Sequence, residues 1–141
     1  MLIFENCTLI DGIADEPREK VNVLVEGNLI REVTTEPIRM ADAKRFDLRG
    51  KVLMPGLIDN HAHVYAIHLN QEKTRGMPHT LMMAHAIPRV LGMLRRGFTT
   101  VRDVAGGDYG IKRAIETGLV EGPRLFVSGR ALSQTGGPGD P

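Results

Sequence analysis

The chain has 141 residues, with 18 Lys plus Arg, 17 Asp plus Glu and a formal net charge of +1 when its histidines are neutral. Hydrophobic residues make up 42% and charged residues 25%, which excludes a disordered tail or a collagen-like chain. The near-zero charge is mixed along the chain, without a basic stripe, and excludes a phosphate-tracking nucleic-acid binder.

The first 55 residues read as short strands and turns, a small antiparallel β unit. Residues 2–10 are rich in β-formers. Val21, Val23 and Val25 alternate with Asn22, Leu24 and Glu26, a period of two. Gly27-Asn28 then separates this run from the apolar run at 29–33. Both residues tolerate positive φ, so a tight hairpin is predicted. Phe46-Asp47-Leu48 is a further short strand before the turn at Arg49-Gly50.

After Pro55-Gly56 the pattern changes to strand and helix in alternation, which indicates βα units and a parallel sheet. Strands are predicted over 57–64, 98–104 and 124–128. A helix is predicted over 80–96, with Thr80 as N-cap and Gly97 as its stop. A second is predicted over 109–120, with Ile111, Ala114, Ile115 and Leu119 on one stripe. Pro88 falls inside the first helical pattern, where a kink or a division into two helices is expected. Met77, Met82, Met83 and Met93 read as core filler. Residues 129–141, rich in Gly and Pro, read as a mobile tail.

The single cysteine, Cys7, permits no internal disulfide, which fits a reducing compartment. It reads as an inert buried thiol. The first residues lack a basic segment followed by a long apolar one, and no stretch approaches the ~18–20 apolar residues of a membrane span. A soluble, cytoplasmic chain without a membrane partner is expected.

The sharpest chemical feature is Asp59-Asn60-His61-Ala62-His63. On a strand, Asp59, His61 and His63 share one face. Two imidazoles spaced this way can hold one divalent ion, and imidazole suits zinc, copper, iron and nickel. A nearby carboxylate can fix the tautomer of a ligating histidine. Two ligands do not complete a zinc site, and such histidines can also be hydrogen-bonded residues of an ordinary strand.

The flanking residues carry a resemblance. Residues 52–63, Val-Leu-Met-Pro-Gly-Leu-Ile-Asp-Asn-His-Ala-His, resemble the first barrel strand of the amidohydrolase superfamily, with its P-G-x-I-D-x-H-x-H signature. Gly97-Phe98-Thr99-Thr100-Val101-Arg102-Asp103 resembles the second barrel strand. Residues 132–140, Leu-Ser-Gln-Thr-Gly-Gly-Pro-Gly-Asp, resemble the loop after strand three in the branch of imidazolonepropionase-like enzymes and Xaa-Pro or Xaa-Arg dipeptidases. Residues 26–30 resemble the family's hairpin. That branch commonly has His where Pro138 stands.

The resemblance implies a (β/α)8 barrel beside a small β-sandwich. It implies residues 1–54 as the β unit and 55–141 as the first three βα units of a truncated barrel, since each unit takes roughly 30 residues. It implies metal-dependent hydrolysis of a C–N bond, by a dipeptidase or by a cyclic amidase. His61 and His63 would bind a divalent metal, most simply zinc, as one or two ions. Asp59 and Asp103 would support them, or Asp103 would serve the fold alone. Tyr65 and His68, on the following loop, would reach a small-molecule or dipeptide substrate, unless the loop is merely solvated. His79 and His85 read as surface or satisfied polar residues. No catalytic group is assigned, because the family's later ligands and its proton-shuttling aspartate are missing. The alternative is an inactive fragment that acts only by assembly. Three strands leave an open edge, so homo-oligomers or association through that edge are expected.

Overall fold

β-Branched and apolar residues dominate the opening of the chain, and they form strands. The computed structural model describes residues 1–68 and 72–137 and divides into two units, Met1–Pro55 and Gly56–Pro141. In the first unit β1 (Leu2–Leu9), β2 (Arg18–Glu26), β3 (Leu29–Thr34), β4 (Lys44–Asp47) and β5 (Val52–Leu53) make a five-stranded sheet. The hairpin between β2 and β3 closes on the pair Glu26↔Leu29, with Gly27 at φ 59° as the turn requires.

Two expectations for this unit are corrected. It is not wholly antiparallel, because β4 and β5 both pair parallel with β1. The segment between β3 and β4 returns the chain to the end of the sheet where β1 begins, at the pair Leu2↔Lys44. Nor do its described residues form a sandwich of two sheets. Cys7, Leu9, Val21 and Val23 pack on one side, while Ile3 and Leu24 pack under Ile38 from the loop after β3. Residues 21–24 are therefore all buried, and a loop supplies the cover that a second sheet would give. The Cys7 thiol donates to the Val21 carbonyl at 3.2 Å, and burial pushes its pKa up, as expected of an inert thiol.

The second unit contains β6 (Leu57–Ala62), α1 (Glu72–Arg75), α2 (His79–Arg95), β7 (Phe98–Asp103), α3 (Tyr109–Glu116) and β8 (Arg124–Val127). Its strands form a parallel sheet in the order β6-β7-β8. Ala62, Val64, Val101 and Leu125 from the sheet side pack against Ala86 and Val90 of α2 and Ile111 of α3. Met82, Met83 and Met93 pack around this core as filler.

The opposite face carries no helix among the described residues. Ile58 is 63% exposed and Phe126 50% exposed there, with Arg102 in register beside Phe126. Among the described residues β6 and β8 are both edge strands.

The helices differ from expectation in their details. α2 begins one residue before Thr80, with Pro78 at the N-cap, and no side chain caps it. It runs unbroken through Pro88. Pro88 and Ala84, whose carbonyl loses its partner, are both exposed, so water can take the carbonyl. Gly97, at φ 92°, follows its end. α3 stops at Glu116, before Gly118, and leaves Leu119 83% exposed and off the stripe. Among the described residues no helix is long and apolar enough to cross a membrane. Residues 138–141, the end of the third quoted motif and its Pro138, lie outside the described residues.

Candidate metal centre

β6 pairs irregularly with β7. One more residue on β6 than on β7 separates the pair Asp59↔Val101 from the pair Ala62↔Asp103. Such a bulge re-aims side chains beyond it. The strict alternation expected over 59–63 is broken here, between Asp59 and the histidines. Beyond the bulge it resumes: Ala62 and Val64 are buried, His61 is exposed and His63 is half-buried. The Asp59 carboxylate accepts from the His61 backbone N–H at 2.9 Å. It thus supports the strand through its backbone, not through an imidazole.

The two imidazoles come together. Their ring centroids are 5.3 Å apart and their planes lie at 80°. Two imidazoles on one zinc, with Zn–N of about 2.0–2.1 Å and near-tetrahedral angles, place their centroids about 5 Å apart. The separation therefore fits a shared ion. His63 Nδ1 lies 3.3 Å from the Ala105 carbonyl oxygen. A carbonyl can only accept, so this contact puts the proton on Nδ1 and leaves Nε2 as the nitrogen that could bind a metal. Among the described residues no third His, Cys, Asp or Glu joins the pair in a metal-binding group. Among the described residues two donors are brought together, fewer than a zinc site needs.

Asp103 is fully buried and touches the backbone. Its Oδ2 accepts from Val64 N at 2.6 Å, and its Oδ1 accepts from Ala105 N at 3.0 Å and Gly107 N at 2.8 Å. It therefore ties the loop after β6 to the loop after β7. Arg89 of α2, which the sequence did not single out, donates to the carbonyls of His63 and Ala66. An arginine in mid-helix carries no local signal for this role.

Tyr65 turns inward. It is only 8% exposed, and its hydroxyl donates to Asp108 Oδ1 at 3.3 Å and lies 3.4 Å from Met83 Sδ. Asp108 also caps α3 by accepting from Ile111 N at 3.2 Å. An Asp just before a helical pattern is the signal that would have found it. Burial and the Asp108 carboxylate together push the Tyr65 pKa up to about 12. The folded state thus holds the phenol proton more tightly than the unfolded chain. That stabilisation is complete below the ordinary phenol value of 10.0 and is lost as pH rises through about 12. In an absorbance titration one phenolate should appear near pH 12, and Tyr65→Phe should remove that phase. Ionisation near pH 10 that Tyr65→Phe removes, with the fold intact, would contradict the burial. His68 is exposed on the same loop, and His79 and His85 are exposed on α2.

The geometry can be set beside known proteins. The chain is 31% identical over 131 residues to ochratoxinase from Aspergillus niger, covering 89% of this chain and 27% of that one. It superposes on a crystallised amidohydrolase with TM-score 0.91 and 50% identity, covering 96% of this chain and 33% of the other. It also superposes on a prolidase complexed with N-methylphosphonate-L-proline, with TM-score 0.93 and 42% identity, covering 99% of this chain and 34% of the prolidase. The chain thus spans about a third of the length of these proteins. Residues 52–141, which hold both histidines, the bulged strand and the Asp103 ties, match the amidohydrolase family, and the chain belongs to that family.

Proposed function

We propose that this chain supplies the first part of the metal centre of an amidohydrolase that cleaves a C–N bond in a dipeptide. The observation that carries this is the His61–His63 pair at 5.3 Å, on the sheet face that no helix covers among the described residues. It lies at the carboxyl end of a parallel strand, where barrel enzymes hold their chemistry. A divalent ion, zinc by donor chemistry, would polarise the scissile carbonyl and bring its bound water toward ionisation at neutral pH. His61 and His63 hold that ion, and the Ala105 carbonyl fixes which nitrogen His63 presents. Asp59 steadies the bulge that aims them. His68, exposed on the loop beyond, is the substrate contact we retain.

The likeness to a prolidase complexed with N-methylphosphonate-L-proline favours a dipeptide ending in an imidic residue over a cyclic amide. The test is turnover of Xaa-Pro and Xaa-Arg dipeptides and of cyclic amides by a full-length amidohydrolase that contains this chain, with zinc, before and after chelation. Dipeptide turnover that chelation removes is expected, and turnover indifferent to chelation would overturn the proposal. By itself the 141-residue chain should show no amidase turnover, because its described residues bring only two donors together. Turnover by that chain that His61→Ala abolishes would refute this expectation.

The partner we propose is a polypeptide that pairs with the open edges of β6 and β8, a second copy of this chain in the simplest case. The exposed Ile58 and Phe126 favour it. Sedimentation should give a species heavier than 15.5 kDa, lightened by Phe126→Lys. A clean monomer at all concentrations would refute it.

A further inference from the structure

The metal-centre reading concerns the nitrogens that would touch an ion. A separate set of contacts concerns what holds one of those nitrogens in place, and it runs through the backbone. His63 Nδ1 meets the Ala105 carbonyl at 3.3 Å. Ala105 is itself held by its own N–H, which donates to Asp103 Oδ1 at 3.0 Å. The same oxygen holds Gly107 N at 2.8 Å, so the loop is pinned on both sides of Gly106. The other oxygen of Asp103 holds Val64 N, the peptide just after His63, at 2.6 Å. The His63 carbonyl, on the other side of that peptide, accepts from Arg89.

We infer that Asp103 is the positioning residue of His63. It sets both the position and the tautomer of an imidazole that it does not touch. One carboxylate grips the chain next to the histidine and also the loop whose carbonyl reads its ring. Burial makes the grip stiff, since Asp103 is fully excluded from water and has three backbone donors within hydrogen-bonding distance. The carboxylate–histidine–metal arrangement is here replaced by carboxylate, peptide, carbonyl and histidine in series. Gly107 belongs to the device. A Cβ there would lie 2.7 Å from Asp103 Cγ and 2.9 Å from its Oδ1, so only glycine lets the loop close onto the carboxylate.

The inference rests on the metal-centre reading, and its test separates the two. The readout is the tautomer of each histidine in the metal-free chain, from long-range proton–nitrogen correlation spectra. Cobalt(II) and zinc titrations accompany it. In the wild type His63 should carry its proton on Nδ1. In Asp103→Ala, and in Gly107→Ala with the carboxylate still present, that preference should fall, while the His61 signals stay unchanged. Metal affinity should fall about 10–100-fold in both variants, the range seen when outer partners of metal ligands are lost. Asp103→Asn keeps one acceptor oxygen for Ala105 and Gly107 and should restore most of the His63 tautomer. A purely structural role for Asp103 would not produce that tautomer pattern.

Loss of the Nδ1 preference without any metal binding in the wild type would uphold the positioning role and overturn the metal reading. Metal binding that needs His61 and His63 but ignores Asp103→Ala would do the reverse. If Asp103→Ala does not fold, Gly107→Ala and the wild-type spectrum still decide. A wild-type His63 protonated on Nε2 overturns the inference without any variant.

Discussion

In a full-length amidohydrolase that contains this chain, His61→Ala and His63→Ala are each expected to remove the bound metal and lower dipeptide turnover about 10³-fold or more. The magnitude follows from the several kcal/mol that a bound ion gives the transition state, at tenfold for each 1.36 kcal/mol. His61→Ala is the cleaner of the two. Its side chain is exposed, so truncation should change stability by only about ±0.5 kcal/mol, as at other open surface positions. His63→Ala also removes the contact with the Ala105 carbonyl, so some of its effect belongs to the loop. His85→Ala on the outside of α2 is the control and should change neither metal content nor rate. The measurements are elemental analysis after gel filtration and kcat/KM for an Xaa-Pro dipeptide. Full zinc occupancy in His61→Ala would remove that residue from the site.

The reach of the sequence differs from one residue to the next, and the differences have physical causes. The histidine pair was legible because a period-two pattern and a short motif both speak about one strand. The Gly27-Asn28 hairpin was legible because positive φ is a local demand that few residues meet. The bulge between Asp59 and Ala62 was not legible, because it is a property of pairing with β7 and not of β6 itself. The parallel entry of β4 beside β1 was hidden for the same reason, since a strand's own residues do not state its partner's direction.

Tyr65 shows a different limit. A tyrosine two residues after His63 looks placed for substrate. Whether its ring turns inward depends on Met83 and Asp108, which lie 18 and 43 residues further along. Asp103 was visible as a carboxylate at a strand end, and its choice of backbone over imidazole emerged only once two loops met around it.

Asp103→Leu should then be among the most damaging single substitutions in this chain. It leaves three backbone N–H groups, those of Val64, Ala105 and Gly107, without their acceptor, and the bonds to Val64 and Gly107 are buried. Each orphaned buried donor costs about 1–3 kcal/mol, so the two buried ones alone cost about 2–6 kcal/mol. A domain is stable by only about 5–15 kcal/mol, and a loss of this size lowers the denaturation midpoint steeply. Asp103→Asn should cost less. Its oxygen can still accept from the Ala105 and Gly107 side, but its NH2 faces the Val64 N–H, donor against donor. Amide hydrogen exchange separates the two variants. In Asp103→Leu all three amides should lose protection, whereas in Asp103→Asn the loss should centre on Val64. Amides of β1 and β2, held by their own ladder, should keep theirs in both. An unchanged midpoint in Asp103→Leu would mean that the two loops hold each other without the carboxylate. The loops at issue follow the carboxyl ends of β6 and β7, so what Asp103 stabilises is the rim on which His61 and His63 stand.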